Sequence, residues 1–416
     1  MRKLYEKYLK RNIGLINLFG KSSGRVLFLL LTSFFAFKLS VKDFATFAIF
    51  WTALRMMTFL SANNFYIVYF NKVREHLLKD QKWPSDVTSN VVFTGLILSV
   101  FSSILTYFIF DSYYVAIIML PSVLLFIAIR NISEFSKSDD SLFLSIFLED
   151  FLFYFLFFVF GVVAIFISNS FHSVLVALFI TVLITAITSL ILFKRKFKIQ
   201  DFNFKISTQD FSIDSFKLGV HYTFLRGNDF FSSFGVRYLG QIYFGDIFVS
   251  YTHIMYQFYN VFTLVTMAVI SGLQSKITVK NILSFDRAFI NGMYLKILKT
   301  VAPFIMIGIL IVVLFSSEIL NSFFPKYIQY DSLLIKVSFI GFVYMLVQPL
   351  VFIFIYNNKV YNIRRLNITQ YLAMFVIYLL PLVFVQISDQ VWLLLTIVSF
   401  ILIQGFYAIL NYKATK

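Results

Sequence analysis

Ionisable side chains inside long apolar stretches are the residues of this chain that could do chemistry. Lys21 and Arg25 lie in the first such stretch, Arg55 in the second, Arg226, Asp229 and Arg237 in the seventh, and Lys336 in the tenth. A charge at mid-bilayer costs about 2.5–3.5 kcal/mol on insertion scales, so each needs a partner, a water-filled cavity or a substrate. At a 1.5 Å rise per residue, Arg25, Arg55 and Arg226 each fall about 17 Å from one end of their stretch, near the midplane. Arg237 and Lys336 fall near the outer ends, where a long side chain can reach the interface, and Lys21 can do the same inward. Helical periodicity puts Arg226, Ser233 and Arg237 within about 40° of one another, with Asp229 beside them. Lys21 and Arg25 are i,i+4 neighbours, and Arg55 is roughly cofacial with Asn63. Cations outnumber acids in these positions, and arginine grips phosphate through a planar fork, so the chemistry they suit is recognition of an anion such as a diphosphate. Structural readings stay open beside it. Arg226 and Asp229 can neutralise each other at i,i+3, Arg55 can bond helix-end carbonyls of a neighbour, and Arg237 and Lys336 can serve as interfacial anchors.

The elements that must carry these residues are transmembrane helices. Of the 416 residues 59% are hydrophobic and 13% charged, and the mean hydropathy is +0.83. A soluble domain carries about 25% charged residues, and half of that cannot coat a wet surface of this size. Stretches long enough to span a bilayer, about 20 apolar residues each, lie near 13–37, 44–70, 90–110, 113–129, 141–167, 173–193, 216–239, 247–273, 297–315, 332–356, 368–385 and 391–412. With the N-terminus cytoplasmic, almost every loop lysine and arginine falls on the inner side, including Lys72, Arg74, Arg130, Lys194, Arg195, Lys196, Lys280, Lys359, Arg364 and Arg365. Only Lys38, Lys42 and Lys326 fall outside. That asymmetry fixes orientation and puts both termini in the cytoplasm. It also checks the helix count, because one helix too many or too few would break the alternation. The net charge of +16 therefore reads as a basic cytoplasmic face against anionic lipid, not as a nucleic-acid surface.

The basic segment after Phe193 divides the chain into a six-helix N-terminal lobe over 1–194, a cytoplasmic linker over 195–214 and a six-helix C-terminal lobe over 215–416. A short echo links the lobes: Phe44 to Ala48 and Phe248 to Thr252 open corresponding helices, each after a turn with an aspartate, Asp43 and Asp246. Outer loops are short, the longest near 316–331, which leaves no room for a folded external domain. The basic start leads into a long span without a cleavage site, as in a retained signal-anchor. The chain has no Cys and four scattered His, so no disulfide or cysteine-ligated metal is possible and no metal motif forms. His221 and His253 suit bonding between helices or proton carriage, and Glu149 and Asp150 suit a helix N-terminus. Phosphate-binding loops, glycine-rich dinucleotide turns and nucleophile elbows are missing, so ATP hydrolysis is not expected.

Four stretches carry a family likeness: Gly20-Lys21-Ser22-Ser23-Gly24-Arg25, the turn Leu39 to Ala48, the junction Asp229 to Tyr251, and the outer run Phe323-Phe324-Pro325-Lys326-Tyr327. On these the chain resembles the polysaccharide biosynthesis family of membrane exporters, the O-antigen and capsule-repeat flippases of the multidrug/oligosaccharidyl-lipid/polysaccharide exporter superfamily. The resemblance implies an all-α membrane protein with two six-helix lobes around a central cavity, working by alternating access. It further implies a cationic cavity facing a lipid-linked diphosphate, in the bacterial cytoplasmic (inner) membrane.

The expected function is translocation of undecaprenyl-diphosphate-linked oligosaccharide repeat units for O-antigen or capsular polysaccharide assembly. Arg25, Arg55 and Arg226 would bind the diphosphate and sugar headgroup, with Lys21, Arg237 and Asn63 beside them and Asp229 holding Arg226. No cofactor is expected, the energy coming from an ion gradient or the membrane potential. Expected partners are the lipid-linked substrate, membrane lipids, and the polysaccharide polymerase and chain-length proteins of the same process. The alternatives are a multidrug or metabolite antiporter of the same superfamily, which would need acidic cavity residues, and a membrane polysaccharide polymerase or ligase, which would need a large external loop.

Overall fold

A computed structural model of the chain describes residues 20, 23–57, 85–138, 144, 146–196, 231–280, 287–356, 360–384 and 386–414. Among the described residues it is a set of twelve α-helices, which we number in chain order. They are α1 (23–38), α2 (41–57), α3 (Ser85–Phe110), α4 (Tyr113–Ser138), α5 (Phe153–Ile167) and α6 (Phe171–Lys196), then α7 (Val236–Phe244), α8 (Asp246–Lys280), α9 (Arg287–Phe323), α10 (Asp331–Tyr356), α11 (Val360–Val383) and α12 (Asp389–Ala414). An apolar chain has to close its backbone hydrogen bonds within each segment, and a helix does that without help from water. Seven of the described helical segments are by themselves long and apolar enough to cross a membrane. The fold is that of an all-α, twelve-helix membrane protein, as its sequence pattern requires.

Helix ends depart from the apolar stretches where a helix continues into polar sequence. The apolar run 297–315 sits inside α9, which starts at Arg287 and continues past a break at Phe315 to Phe323. The expected outer loop over 316–331 is thereby mostly helical, and what remains is a 3-10 turn over Pro325–Tyr330. Polar residues such as Ser316, Ser317 and Glu318 lower hydropathy without opposing helix, so an apolar window stops before the helix does. In the seventh span the described portion is a π-turn over Phe231–Gly235 followed by α7, which ends at Phe244, five residues beyond the apolar stretch.

The described residues fall into two compact units, 20–45 with 231–414, and 46–196. The expected linker over 195–214 lies, but for Arg195 and Lys196, outside the described residues. In the unit holding α3 to α6, helix pairs approach through small polar residues. Thr94, Ser99, Ser102 and Thr106 of α3, Ser122, Ser133 and Ser136 of α4, and Thr181, Thr185 and Ser189 of α6 are buried. Several hydroxyls donate to the carbonyl one turn back, as Ser99 to Gly95 at 2.6 Å and Thr181 to Ala177 at 2.8 Å, while Ser103 crosses to the Ala116 carbonyl of α4 at 2.8 Å. Small side chains of this kind let helices come close where no hydrophobic effect drives them together. In the other unit α8 and α10 form the centre, flanked by α9 and α12, with α11 packed on α12. Large apolar side chains line the outside of both units: Phe151, Phe155, Val159 and Phe166 at helical spacing on the fifth span, and Met306, Ile307, Leu310 and Leu314 on α9. Water would not tolerate such stripes, and acyl chains do.

Candidate functional site

Three of the sequence stretches that carried the family likeness meet at one end of the unit 20–45 with 231–414. The α1–α2 turn is capped locally. The Ser40 hydroxyl donates to the Asp43 carboxylate at 2.9 Å, and the Asp43 amide donates to the Ser40 oxygen at 3.0 Å, a reciprocal cap at the start of α2. The turn is then gripped from two sides. The Lys326 ammonium, from the 3-10 turn, donates to the Leu39 carbonyl at 2.7 Å, and the Ser250 hydroxyl of α8 donates to the Val41 carbonyl at 3.2 Å. Leu39 follows the last residue of α1, so its carbonyl is one of the groups a helix end leaves without an intrahelical donor, and a cation there also suits the helix dipole. Behind these bonds Phe44 lies 6.4 Å from the Tyr327 ring and 5.7 Å from the His253 ring, and Tyr251 stacks on Tyr330 at 4.1 Å.

The junction between α7 and α8 is a tight hairpin. Gly245 takes φ 82°, a left-handed conformation that favours glycine. A Cβ at Gly240 would sit 2.0 Å from Cε1 of Phe248, so only glycine lets that ring pack against α7. Phe248 in turn meets Trp392 of α12 at 5.6 Å, and the Trp392 indole donates to the Ile377 carbonyl of α11 at 2.8 Å.

Arg237 sits about two turns before Gly245, and the structure corrects the expectation that it reaches out to the interface as an anchor. It is 3% exposed, and among the described residues it is the one Lys, Arg, Asp or Glu side chain that is buried. Its Nη1 donates to the Ser233 carbonyl at 2.7 Å and to the Ser233 hydroxyl at 3.0 Å, which is the cofacial relation that the i,i+4 spacing predicts. The guanidinium lies over the Tyr256 ring at 4.7 Å, a cation–π contact strengthened by exclusion of water. The physical reason it does not snorkel is that Ser233 and Tyr256 draw the side chain back into the helix cluster. His253 and Gln257 occupy the same helix as Tyr256 and meet at 3.3 Å, and Tyr378 of α11 reaches the backbone through Gly235, where a Cβ would lie 2.7 Å from its hydroxyl.

In the unit 46–196, Arg55 is half-buried in an aromatic setting. Its guanidinium carbon lies 5.8 Å from the Trp51 ring and 5.9 Å from the Phe126 ring of α4. Trp51 is itself stacked on Phe157 at 5.8 Å and on Phe153 at 6.2 Å, so the wall behind the arginine is fixed. Trp51 precedes Arg55 by four residues, a spacing visible in the sequence; Phe126 and Tyr256 come from other helices and left no local signal.

Arg25 is half-buried in α1, and Lys336 is exposed on α10, as an anchor would be. Lys21, Asn63, Arg226 and Asp229, along with His221, lie outside the described residues. Among the described residues no cluster of His, Asp or Glu could hold a metal ion. The acidic side chains with described surroundings are half-buried or exposed, as with Asp43, Asp246, Asp331 and Asp389, each in the first turn of its helix.

No protein-family model and no curated protein matches the chain. Solved structures do match along nearly its full length. One is the inward-facing conformation of a multidrug resistance MATE family transporter of the MOP superfamily, with TM-score 0.67 and 12% identity over 96% of this chain and 98% of that one. A second is a MOP superfamily transporter from Pyrococcus furiosus, with TM-score 0.67 and 12% identity over 97% of this chain and 94% of that one. A third is MATE in complex with MaL6, with TM-score 0.64 and 13% identity over 97% of this chain and 96% of that one. At such identities the likeness is one of fold: the chain has the twelve-helix, two-lobe architecture seen in MATE transporters of the MOP superfamily.

Proposed function

We propose that the protein is a membrane transporter for an anionic substrate, working by alternating access between two helical lobes. The observation that carries this reading is the sign of the buried charge. Among the described residues the charged side chain enclosed within the helices is Arg237, Arg25 and Arg55 are half-buried in apolar helices, and no acid is buried. A site for organic cations needs the reverse. One structure with the same fold, the Pyrococcus furiosus transporter, is itself described by a reverse polarity of its binding pocket and a different function, which supports the idea that this architecture accepts either sign of charge.

The finer assignment is a lipid-linked oligosaccharide diphosphate, with Arg25, Arg55 and Arg226 on the diphosphate and sugar headgroup and Asp229 holding Arg226. The polyprenyl tail stays in lipid, and an ion gradient or the membrane potential drives the cycle. The competing reading is a multidrug antiporter, favoured by the description of another structure of the same fold as a multidrug resistance transporter. Alanine at Arg25, Arg55 and Arg226, each expressed at the normal level in the native host, tests the main reading: surface polysaccharide should be lost. Full surface polysaccharide in all three sinks it, and drug sensitivity of the deletion strain with intact polysaccharide establishes the competitor.

A further inference from the structure

We infer that Arg237 is the floor of a binding site for a small oxyanion, a phosphate or carboxylate group, inside the unit formed by residues 20–45 and 231–414. The inference begins with the donors of the guanidinium. Nη1 is spent on the carbonyl and hydroxyl of Ser233 at 2.7 and 3.0 Å. Among the described residues the buried Nε has no hydrogen-bond partner, and no hydrogen bond leaves Nη2. The unspent edge is therefore the Nε–Nη2 edge, two parallel N–H donors at the spacing of two oxygens of one carboxylate or phosphate.

A buried guanidinium without a counter-charge is a state that folding avoids, because a desolvated charge needs a paired ion or hydrogen bonds that satisfy its protons. Here the described neighbours offer no carboxylate. Tyr256 covers one face at 4.7 Å, and Tyr378, His253 and Gln257, on α11 and α8, bring no carboxylate. Interfacial anchoring does not account for the residue, since an anchor keeps its head in water and Arg237 is 3% exposed. The inference stands whether the cargo is a lipid-linked saccharide or another anion.

The test uses the full chain, purified into phosphatidylcholine nanodiscs, with inorganic phosphate as the probe and thermal unfolding as the readout at fixed pH and ionic strength. Wild type should show a saturable rise in unfolding temperature. Arg237→Gln should weaken the response at least tenfold, and Arg237→Lys, which keeps the charge and loses the fork, should do the same. Arg55→Gln, which disables the headgroup site, should leave the Arg237-dependent step in place. Should Arg237→Gln not fold, Arg237→Lys alone decides. A second set of nanodiscs containing phosphatidylglycerol separates the two sources of phosphate: if a lipid headgroup is the occupant, wild type is already stabilised there relative to Arg237→Lys and added phosphate has no further effect. If the occupant is free, the phosphate response is the same in both lipids. Either result supports the site. A phosphate response of wild-type size in Arg237→Lys, or no Arg237-dependent stabilisation in either lipid, overturns it, and leaves the assignment of Arg25, Arg55 and Arg226 untouched.

Discussion

Arg55 is the described residue on which the headgroup reading depends most, and its surroundings say how it should respond to change. Two aromatic faces near 6 Å stabilise a guanidinium better than an ammonium, because the planar ion stacks and sheds water more readily. Arg55→Lys should therefore fall well short of wild type, with Arg55→Ala lower still, when surface polysaccharide is measured at equal protein level. Full activity of the lysine variant would mean that bulk charge suffices. Gly240 makes a different kind of prediction. A methyl group there meets the Phe248 ring at 2.0 Å, and Phe248 is locked between Tyr251 and Trp392 at 5.2 and 5.6 Å. Gly240→Ala should cost about 1–3 kcal/mol by overpacking, seen as a lowered unfolding temperature in detergent. Ser233 beside Arg237 was legible in the sequence because one turn of helix relates them, whereas Arg55 was matched with Asn63 and its neighbour Trp51, one turn before it, was passed over. Burial of Arg237 was not legible. Distance from the end of an apolar stretch measures depth in the bilayer and carries no information on whether a side chain faces lipid or neighbouring helices.

Among the elements, the turns of the unit formed by 20–45 and 231–414 show more organisation than their length suggests. The α1–α2 turn, the α7–α8 hairpin and the 3-10 turn after α9 are far apart in the chain and touch through Lys326, Ser250, Phe44 and Tyr327. Each turn was recognisable beforehand as a distinctive run of residues. Their meeting was not, since a lysine to a carbonyl 287 residues away leaves no periodic trace. Lys326→Met removes a charged donor from the Leu39 carbonyl and should destabilise by about 1.5–3 kcal/mol, the usual worth of a hydrogen bond to a charged group. Lys326→Arg should recover most of that loss, and thermal unfolding of the two variants checks the pair. Equal loss in both would mean that the contact is incidental. Length of helix was the other gap. An apolar window follows hydropathy, and α9 runs through Lys296, Lys299 and Ser316 to Phe323 because helix formation asks only for backbone bonds and tolerated side chains.

For the whole molecule, the helix count came directly from apolar length, and the basic-residue asymmetry remains the basis for orientation. That orientation has its own test. Reporter fusions after Lys196 and after Lys413 should be active only with a cytoplasmic reporter, and fusions after Ser112 and after Lys326 only with an external one; reversed signals would invert the topology and with it the direction of transport. Substrate identity was the least legible feature, because it depends on several helices presenting charge to one place, and a sequence states the charges without the place. The tryptophans turn the two units into separate optical channels. The chain has three. Trp51 lies against Arg55, and Trp392 is locked in the aromatic cluster of the other unit, hydrogen-bonded to Ile377. With Trp83 replaced by Phe, an anion drawing Arg55 off the Trp51 ring should change emission from that indole while Trp392 stays constant. Single-tryptophan variants would thus follow occupancy of one unit by fluorescence in real time, without an added label.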